Sequence, residues 1–213
     1  MRVAVVVLSA GASQRMGQPK ALLRLDGKPL VQWVIEKAQA LPAAELVLVL
    51  ADPHGERIAD ELDITRRAGL RIAWNPQPER GMLSSVQCAL SLLTSSSPDT
   101  SLAGALIWPV DIPRVQAATL RQILAVAATQ AGLVVPTYRG RGGHPLWLPA
   151  ALFAEAQALP VEHGLRALRQ RHPPCLVAVE DEEILRDFDT PEDWRAAQRT
   201  GVEEADPRQE PAR

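Results

Sequence analysis

Apolar residues along this chain fall into short continuous runs and helical periods that take turns. Val3 to Leu8 is an unbroken β-branched and aliphatic run that stops at Ser9-Ala10-Gly11. Consecutive apolar positions over that length suit a strand buried on both faces of a parallel sheet. From Pro29 to about Leu41 the apolar positions Leu30, Trp33, Val34, Ala38 and Leu41 recur at helical spacing, and Pro29 fits a first helical turn. Glu45 to Leu50 predicts a second buried strand, Gly55 to Leu62 a short helix, and Leu70 to Trp74 a third strand that ends at Asn75-Pro76. A helix from about Met82 to Leu93, a polar loop Thr94 to Thr100, a strand Ala105 to Trp108, a helix Ala117 to Ala128 and a strand Leu133 to Pro136 continue the alternation.

This order implies an α/β protein with a three-layer, doubly wound, mainly parallel sheet of Rossmann-like type, because right-handed crossovers place helices on both faces. After Gly140-Arg141-Gly142-Gly143 the order loosens. A short strand Leu146 to Leu148, a helix from Ala150, another over Gly164 to Arg171, a strand Leu176 to Val179 and a last helix starting within Asp187 to Trp194 are expected. Trp33, Trp74, Trp108 and Trp147 sit inside or at the ends of these elements and are expected in the core. From Thr200 onward the chain is polar and rich in Glu, Asp, Pro and Arg. With no apolar face to bury, it predicts a disordered tail behind one domain of residues 1–199.

Composition narrows the partners. A chain of 213 residues, 46% hydrophobic, builds one substantial core. Its net charge of -2, with the two signs interspersed, provides no broad basic field, so nucleic acid is not expected as a partner. Val3 to Leu8 is far shorter than the roughly 20 residues of a membrane-spanning helix and lacks a signal-peptide cleavage region. Cys88 and Cys175 are too few for a disulfide framework and lack zinc-site spacing. A cytoplasmic protein without membrane attachment is the expectation.

The first loop carries the clearest chemistry. Leu8-Ser9-Ala10-Gly11-Ala12-Ser13-Gln14-Arg15-Met16-Gly17-Gln18-Pro19-Lys20 sets small residues at a strand end, then an arginine, then a lysine. Small residues let backbone N–H groups approach phosphate oxygens, and Arg15 and Lys20 add positive charge, a combination suited to a nucleoside triphosphate. Its spacing matches neither G-x-x-x-x-G-K-[ST] nor G-x-G-x-x-G.

Further along, Asn75-Pro76-Gln77-Pro78-Glu79-Arg80-Gly81-Met82-Leu83-Ser84-Ser85 lies between a strand and a helix, so Gly81, Ser84 and Ser85 either bind an anion or cap the helix. Pro109-Val110-Asp111-Ile112-Pro113 puts Asp111 at the carboxyl end of a central strand, where open α/β sheets place ligands. Arg139 to Pro145 reads as a mobile basic loop after a strand. In Asp187-Phe188-Asp189-Thr190-Pro191 two carboxylates two residues apart share one side of an extended segment, and Thr190 suits a helix N-cap.

The first loop resembles the L-x-A-G-x-x-x-R-M-x-x-x-K signature of nucleotidyltransferases with a glycosyltransferase-A-like fold. More narrowly it is similar to the molybdenum cofactor cytidylyltransferases and guanylyltransferases, over about Val3 to Asp193. That resemblance implies that Leu8, Ala10, Gly11 and Ala12 lie against the nucleotide with Asn75, Gly81, Ser84 and Ser85, and that Arg15 and Lys20 hold its phosphates. It implies Mg²⁺, with Mn²⁺ as the alternative, on Asp111 and on Asp187 or Asp189. The acceptor side of the cleft would be Gly143, His144 and Pro145. Gly164-Leu165-Arg166 is similar to a family G-A-R segment near the acceptor, although by itself it reads as a solvated helical face.

Ala10 follows the cytidylyl-transferring L-A-A-G form and not L-A-G-G, while Ser9 departs from both. The implied reaction is transfer of CMP from CTP to the terminal phosphate of a molybdopterin-type acceptor, with a molybdenum hydroxylase as a client. Guanylyl transfer, a sugar- or polyol-phosphate acceptor, and a noncatalytic cofactor-binding chaperone stay open at this point.

Overall fold

The computed structural model describes residues 1–11, 17–63, 69–95 and 102–188, together with Glu192 and Trp194. Its main sheet combines strands β1 (Val3–Leu8), β4 (Glu45–Leu50), β5 (Leu70–Trp74), β6 (Gly104–Pro109), β7 (Val134–Tyr138), β9 (Leu146–Pro149) and β10 (Cys175–Ala178) in the order β10-β7-β9-β6-β1-β4-β5. β8 (Arg141–Gly142) turns back onto β7. The strands β1, β4, β5 and β6 are parallel neighbours, and β10 runs parallel to β7. Only β8 and β9 are reversed against their neighbours in this sheet.

Consecutive apolar residues on β1 divide between two cores, as a doubly wound sheet demands. Val3, Val5 and Val7 join the core beneath α1 (Leu30–Gln39), α2 (Gly55–Glu61) and α4 (Ala117–Ala127), through residues such as Val34, Ile58 and Ile123. Ala4, Val6 and Leu8 face α3 (Met82–Ser95), α5 (Phe153–Ala158) and α6 (Gly164–Arg171), through Val86, Phe153 and Leu168. All six β1 side chains are buried. Each such valine or leucine contributes about 1.5–3 kcal/mol through removal from water. Among the described residues no helix is long and apolar enough to cross a membrane.

Two short strands escaped the periodicity. β2 (Arg24–Leu25) and β3 (Lys28–Pro29) form a hairpin around Asp26 and Gly27, whose φ angles of 51° and 76° are those of a tight two-residue turn. Leu23, Leu25 and Leu30 there bury Phe188, which meets Trp194 edge to face at 5.6 Å between ring centroids. Trp74 also departs from expectation. It is 41% exposed, because it ends the edge strand β5, where one neighbouring strand and a seven-residue helix cannot cover it. Trp108 and Trp147 are buried as expected, and Trp33 is half-buried.

Candidate active site

The carboxyl ends of the parallel strands deliver the candidate residues to one edge of the sheet. Leu8 and Ala10 are buried there, each 7% exposed, and Gly11 is exposed. Ala12 and Arg15 lie outside the described residues. The Ser9 amide continues the β1–β4 pairing by donating to the Val49 carbonyl, while its buried hydroxyl has no hydrogen-bond partner among the described residues. Lys20 opens a single 3-10 turn, Lys20–Leu22, and its Nζ lies 3.1 Å from Oδ2 of Asp111, just beyond β6. The two side chains are 17% and 23% exposed. Residues 91 positions apart thus form one half-buried ion pair at the ends of the central strands.

A second shelf follows β5. Asn75, 1% exposed, donates through Nδ2 to the hydroxyls of Ser84 and Ser85, both at 2.9 Å, and accepts from the Gln77 amide at 2.9 Å. Ser84 Oγ in turn bonds the Gly81 carbonyl at 2.7 Å. Gly81 has φ 91° and ψ -179°, a conformation closed to residues with a Cβ, and it turns the chain from a 3-10 turn into α3. The three polar side chains expected beside the nucleotide are therefore brought together, with Asn75 orienting both serines.

On the other side of the Lys20–Asp111 pair, the expected mobile loop is a pinned hairpin. The Gly143 amide donates to the Pro136 carbonyl and the His144 amide to the Ile184 carbonyl, both at 2.9 Å. A Cβ on Gly143 would stand 2.3 Å from the Ile184 carbonyl oxygen, so close backbone contact is what requires glycine here. Because β9 runs against β6, with Leu146 opposite Ile107, His144 and Pro145 arrive at the same edge as Asp111. Burial pushes the His144 pKa below its ordinary value, against an opposing pull from the Asp111 carboxylate. The imidazole is therefore neutral near pH 7.

His144 also opens onto a cavity of about 670 Å³. Gly164, Leu165 and Arg166 line it, so this segment is a cleft wall, although the Arg166 side chain remains exposed. Met82, inside the Asn75–Ser85 stretch, reaches the same cavity, while sequence reasoning missed Arg169, Gln170 and Pro174 there. No motif marks those three.

The chain at Asp187 and Phe188 comes back toward Asp111. The Phe188 amide donates to the Asp111 carbonyl at 3.3 Å, which places the exposed Asp187 beside Asp111 in the chain path. Asp189 and the expected N-cap Thr190 lie outside the described residues. Among the described residues no three His, Cys, Asp or Glu side chains gather as a metal site. Asp111 and Asp187 nevertheless supply carboxylate oxygens, the hard donors that a divalent cation such as Mg²⁺ or Mn²⁺ takes, so the donor chemistry fits. Asp181, by contrast, is structural. Its carboxylate, 1% exposed, accepts from the Gln116 amide, the Thr119 hydroxyl and the Glu183 amide, capping α4 from a distant segment.

Comparison with known proteins agrees with this layout. The family model for the MobA-like NTP transferase domain matches residues 5–175. The molybdenum cofactor cytidylyltransferase of Escherichia coli K12 is 26% identical over 90% of this chain and 93% of its own length. The bifunctional protein GlmU of Bordetella petrii is 37% identical over 56% of this chain, which spans 25% of that longer protein. In structure, Rv0371c of Mycobacterium tuberculosis H37Rv superposes with a TM-score of 0.77 at 28% identity, over 93% of this chain and 98% of the other. A second structure of that protein, in complex with manganese, gives a TM-score of 0.72 at 25% identity, over 94% of this chain and 100% of the other.

Proposed function

This chain belongs to the MobA-like NTP transferase family, and from that premise we propose that it transfers CMP from CTP to the terminal phosphate of a molybdopterin-type cofactor, releasing pyrophosphate. The observation that carries the reading is the Lys20–Asp111 pair: a phosphate-binding cation and a carboxylate stand 3.1 Å apart where the central strands end. The choice of CTP is supported by Ala10 and by the cytidylyltransferase relative of nearly equal length. The acceptor is supported by that same relative.

In this reaction an oxygen of the acceptor phosphate attacks the α-phosphorus in line, the bond from that phosphorus to the bridging oxygen breaks, and pyrophosphate leaves with the electron pair. A phosphate monoester has its second pKa near about 6, so the nucleophile is already ionised and no general base is needed. Neutral His144 accordingly serves by hydrogen bonding to the acceptor and not by proton removal. Lys20, with Arg15, offsets charge developing on the leaving pyrophosphate. Asn75, Ser84, Ser85 and Gly81 hold the nucleotide side in place. Asp111, with Asp187 or Asp189, would hold Mg²⁺ or Mn²⁺, which when bound neutralises phosphate oxygens as a Lewis acid. A molybdenum hydroxylase that receives the finished cofactor is the client consistent with this product.

The test is pyrophosphate release with CTP, GTP, ATP and UTP, with Mg²⁺, with and without purified molybdenum cofactor. Release with CTP that depends on the cofactor is the expected result. Release with GTP alone would reassign the base, and tight cofactor binding without any release would make the protein a cofactor-binding chaperone.

A further inference from the structure

The cavity beside His144 carries charge that none of the described residues neutralises. Arg166 and Arg169 stand three residues apart on α6, on the same stretch of wall. Among the described residues neither guanidinium has an ion-pair or hydrogen-bond partner, whereas Arg171, two positions on, is paired with Glu155. Arg169 is held over the acceptor hairpin: its Nη2 lies 3.4 Å from where a Cβ on Gly142 would stand. The absence of a side chain at Gly142 leaves that guanidinium room beside residues 142–144. His144 lines the same cavity as both arginines, at the sheet edge that carries Asp111. The rest of the lining is largely apolar, with Met82, Leu146, Leu165 and Pro174. Met82 is 49% exposed, an apolar surface left open at the mouth of the cleft.

We propose that Arg166 and Arg169 form a second anion subsite, which binds an oxyanionic group of the acceptor other than the phosphate that attacks CTP. This inference rests on the nucleotidyl-transfer reading of the cleft and adds to it a requirement on the acceptor: two separated anionic groups joined by a weakly polar body. The forked guanidinium donors match the geometry of a phosphate, sulfate or comparable oxyanion, and Lys20 already serves the triphosphate end. The apolar wall accommodates the body between the two charges. Arg169 is a specificity residue here and takes no part in the bond changes.

The test uses the full chain in two arms. In the first, the nucleotide site is filled with a non-hydrolysable CTP analogue and Mg²⁺, inorganic sulfate is titrated, and the Nε–H signals of Arg166 and Arg169 are followed by NMR. Saturable shifts at both arginines that disappear in Arg169→Gln support the subsite. Shifts that grow without saturating, the behaviour of an adventitious ion only, overturn it. The second arm measures pyrophosphate release with purified molybdenum cofactor as acceptor. Arg166→Gln and Arg169→Gln should each raise the acceptor KM about tenfold, equivalent to ~1.4 kcal/mol, with the loss falling on KM and not on kcat. An unchanged acceptor KM in the double variant overturns the proposal. Saturable sulfate binding in a wild-type protein that does not turn over the cofactor would refute the proposed acceptor and leave the subsite standing.

Discussion

Asn75→Ala is the sharpest probe of the nucleotide shelf, because the side chain is 1% exposed and makes three hydrogen bonds of 2.9 Å. Removing it leaves Ser84 with the Gly81 and Gln77 carbonyls but takes away the amide donor that Ser85 accepts from. Gln77 is exposed, so water replaces its lost acceptor. Three net hydrogen bonds at about 1 kcal/mol each put the loss near ~3 kcal/mol. In a chain of this size each 1 kcal/mol moves the melting temperature by about 2–4 °C, so a fall of roughly 6–12 °C is expected. Calorimetric melting of Asn75→Ala, Ser85→Ala and the double variant measures it. The double variant should lose less than the sum of the singles, since one serine hydroxyl is no longer orphaned. Strict additivity, or a fall below about 2 °C for Asn75→Ala, would refute the claim that this amide organises the shelf.

Asp111→Ala should abolish pyrophosphate release while circular dichroism stays that of the folded protein; persisting turnover would remove Asp111 from the reaction. Lys20→Ala should weaken CTP binding more than CMP binding in calorimetric titrations, and equal losses would place Lys20 away from the outer phosphates. Gly143→Ala forces the hairpin off the Ile184 carbonyl and should destabilise by about 1–3 kcal/mol while raising the acceptor KM; an unchanged CTP KM separates this from general unfolding. Glu183→Gln tests a pH effect. Burial raises the Glu183 pKa, so the folded state favours its protonated form, and that stabilisation is present below the unfolded value of about 4.3 and lost as pH rises through the folded value. Because its partner Arg186 is 41% exposed and contributes little, the glutamine variant should show the higher urea midpoint at pH 8 and no advantage below about pH 4.

Much of the fold could be read directly, because the continuous runs of β1, β4 and β6 and the periods of α1, α3 and α4 each have one physical solution. What periodicity could not supply was direction. Leu146 to Pro149 reads the same whether parallel or reversed, and only the hairpin through Arg139 and Gly140 decides it. The β2–β3 hairpin was announced by Asp26-Gly27, yet strands of two residues carry no period to notice. Asp181 was invisible for another reason. A carboxylate capping a helix that begins more than sixty residues earlier leaves no local signature, and the same holds for Arg169 on the cavity beside His144. The residues proposed for the phosphates, by contrast, fall in one continuous first loop and were local in the sequence.

The reversed strand β9 also divides the chemistry along the chain. The described residues proposed for the nucleotide come from before residue 112, and the proposed acceptor wall is built chiefly from the stretch between Gly142 and Pro174. Met82 is the one residue of that wall contributed from the first half. On the proposed reading, recognition of the two substrates is written in consecutive passages of the gene. On that reading, exchanging only the stretch from Gly142 to Pro174 would swap the acceptor specificity as a cassette and leave Lys20, Asp111 and Asp187 in their original frame.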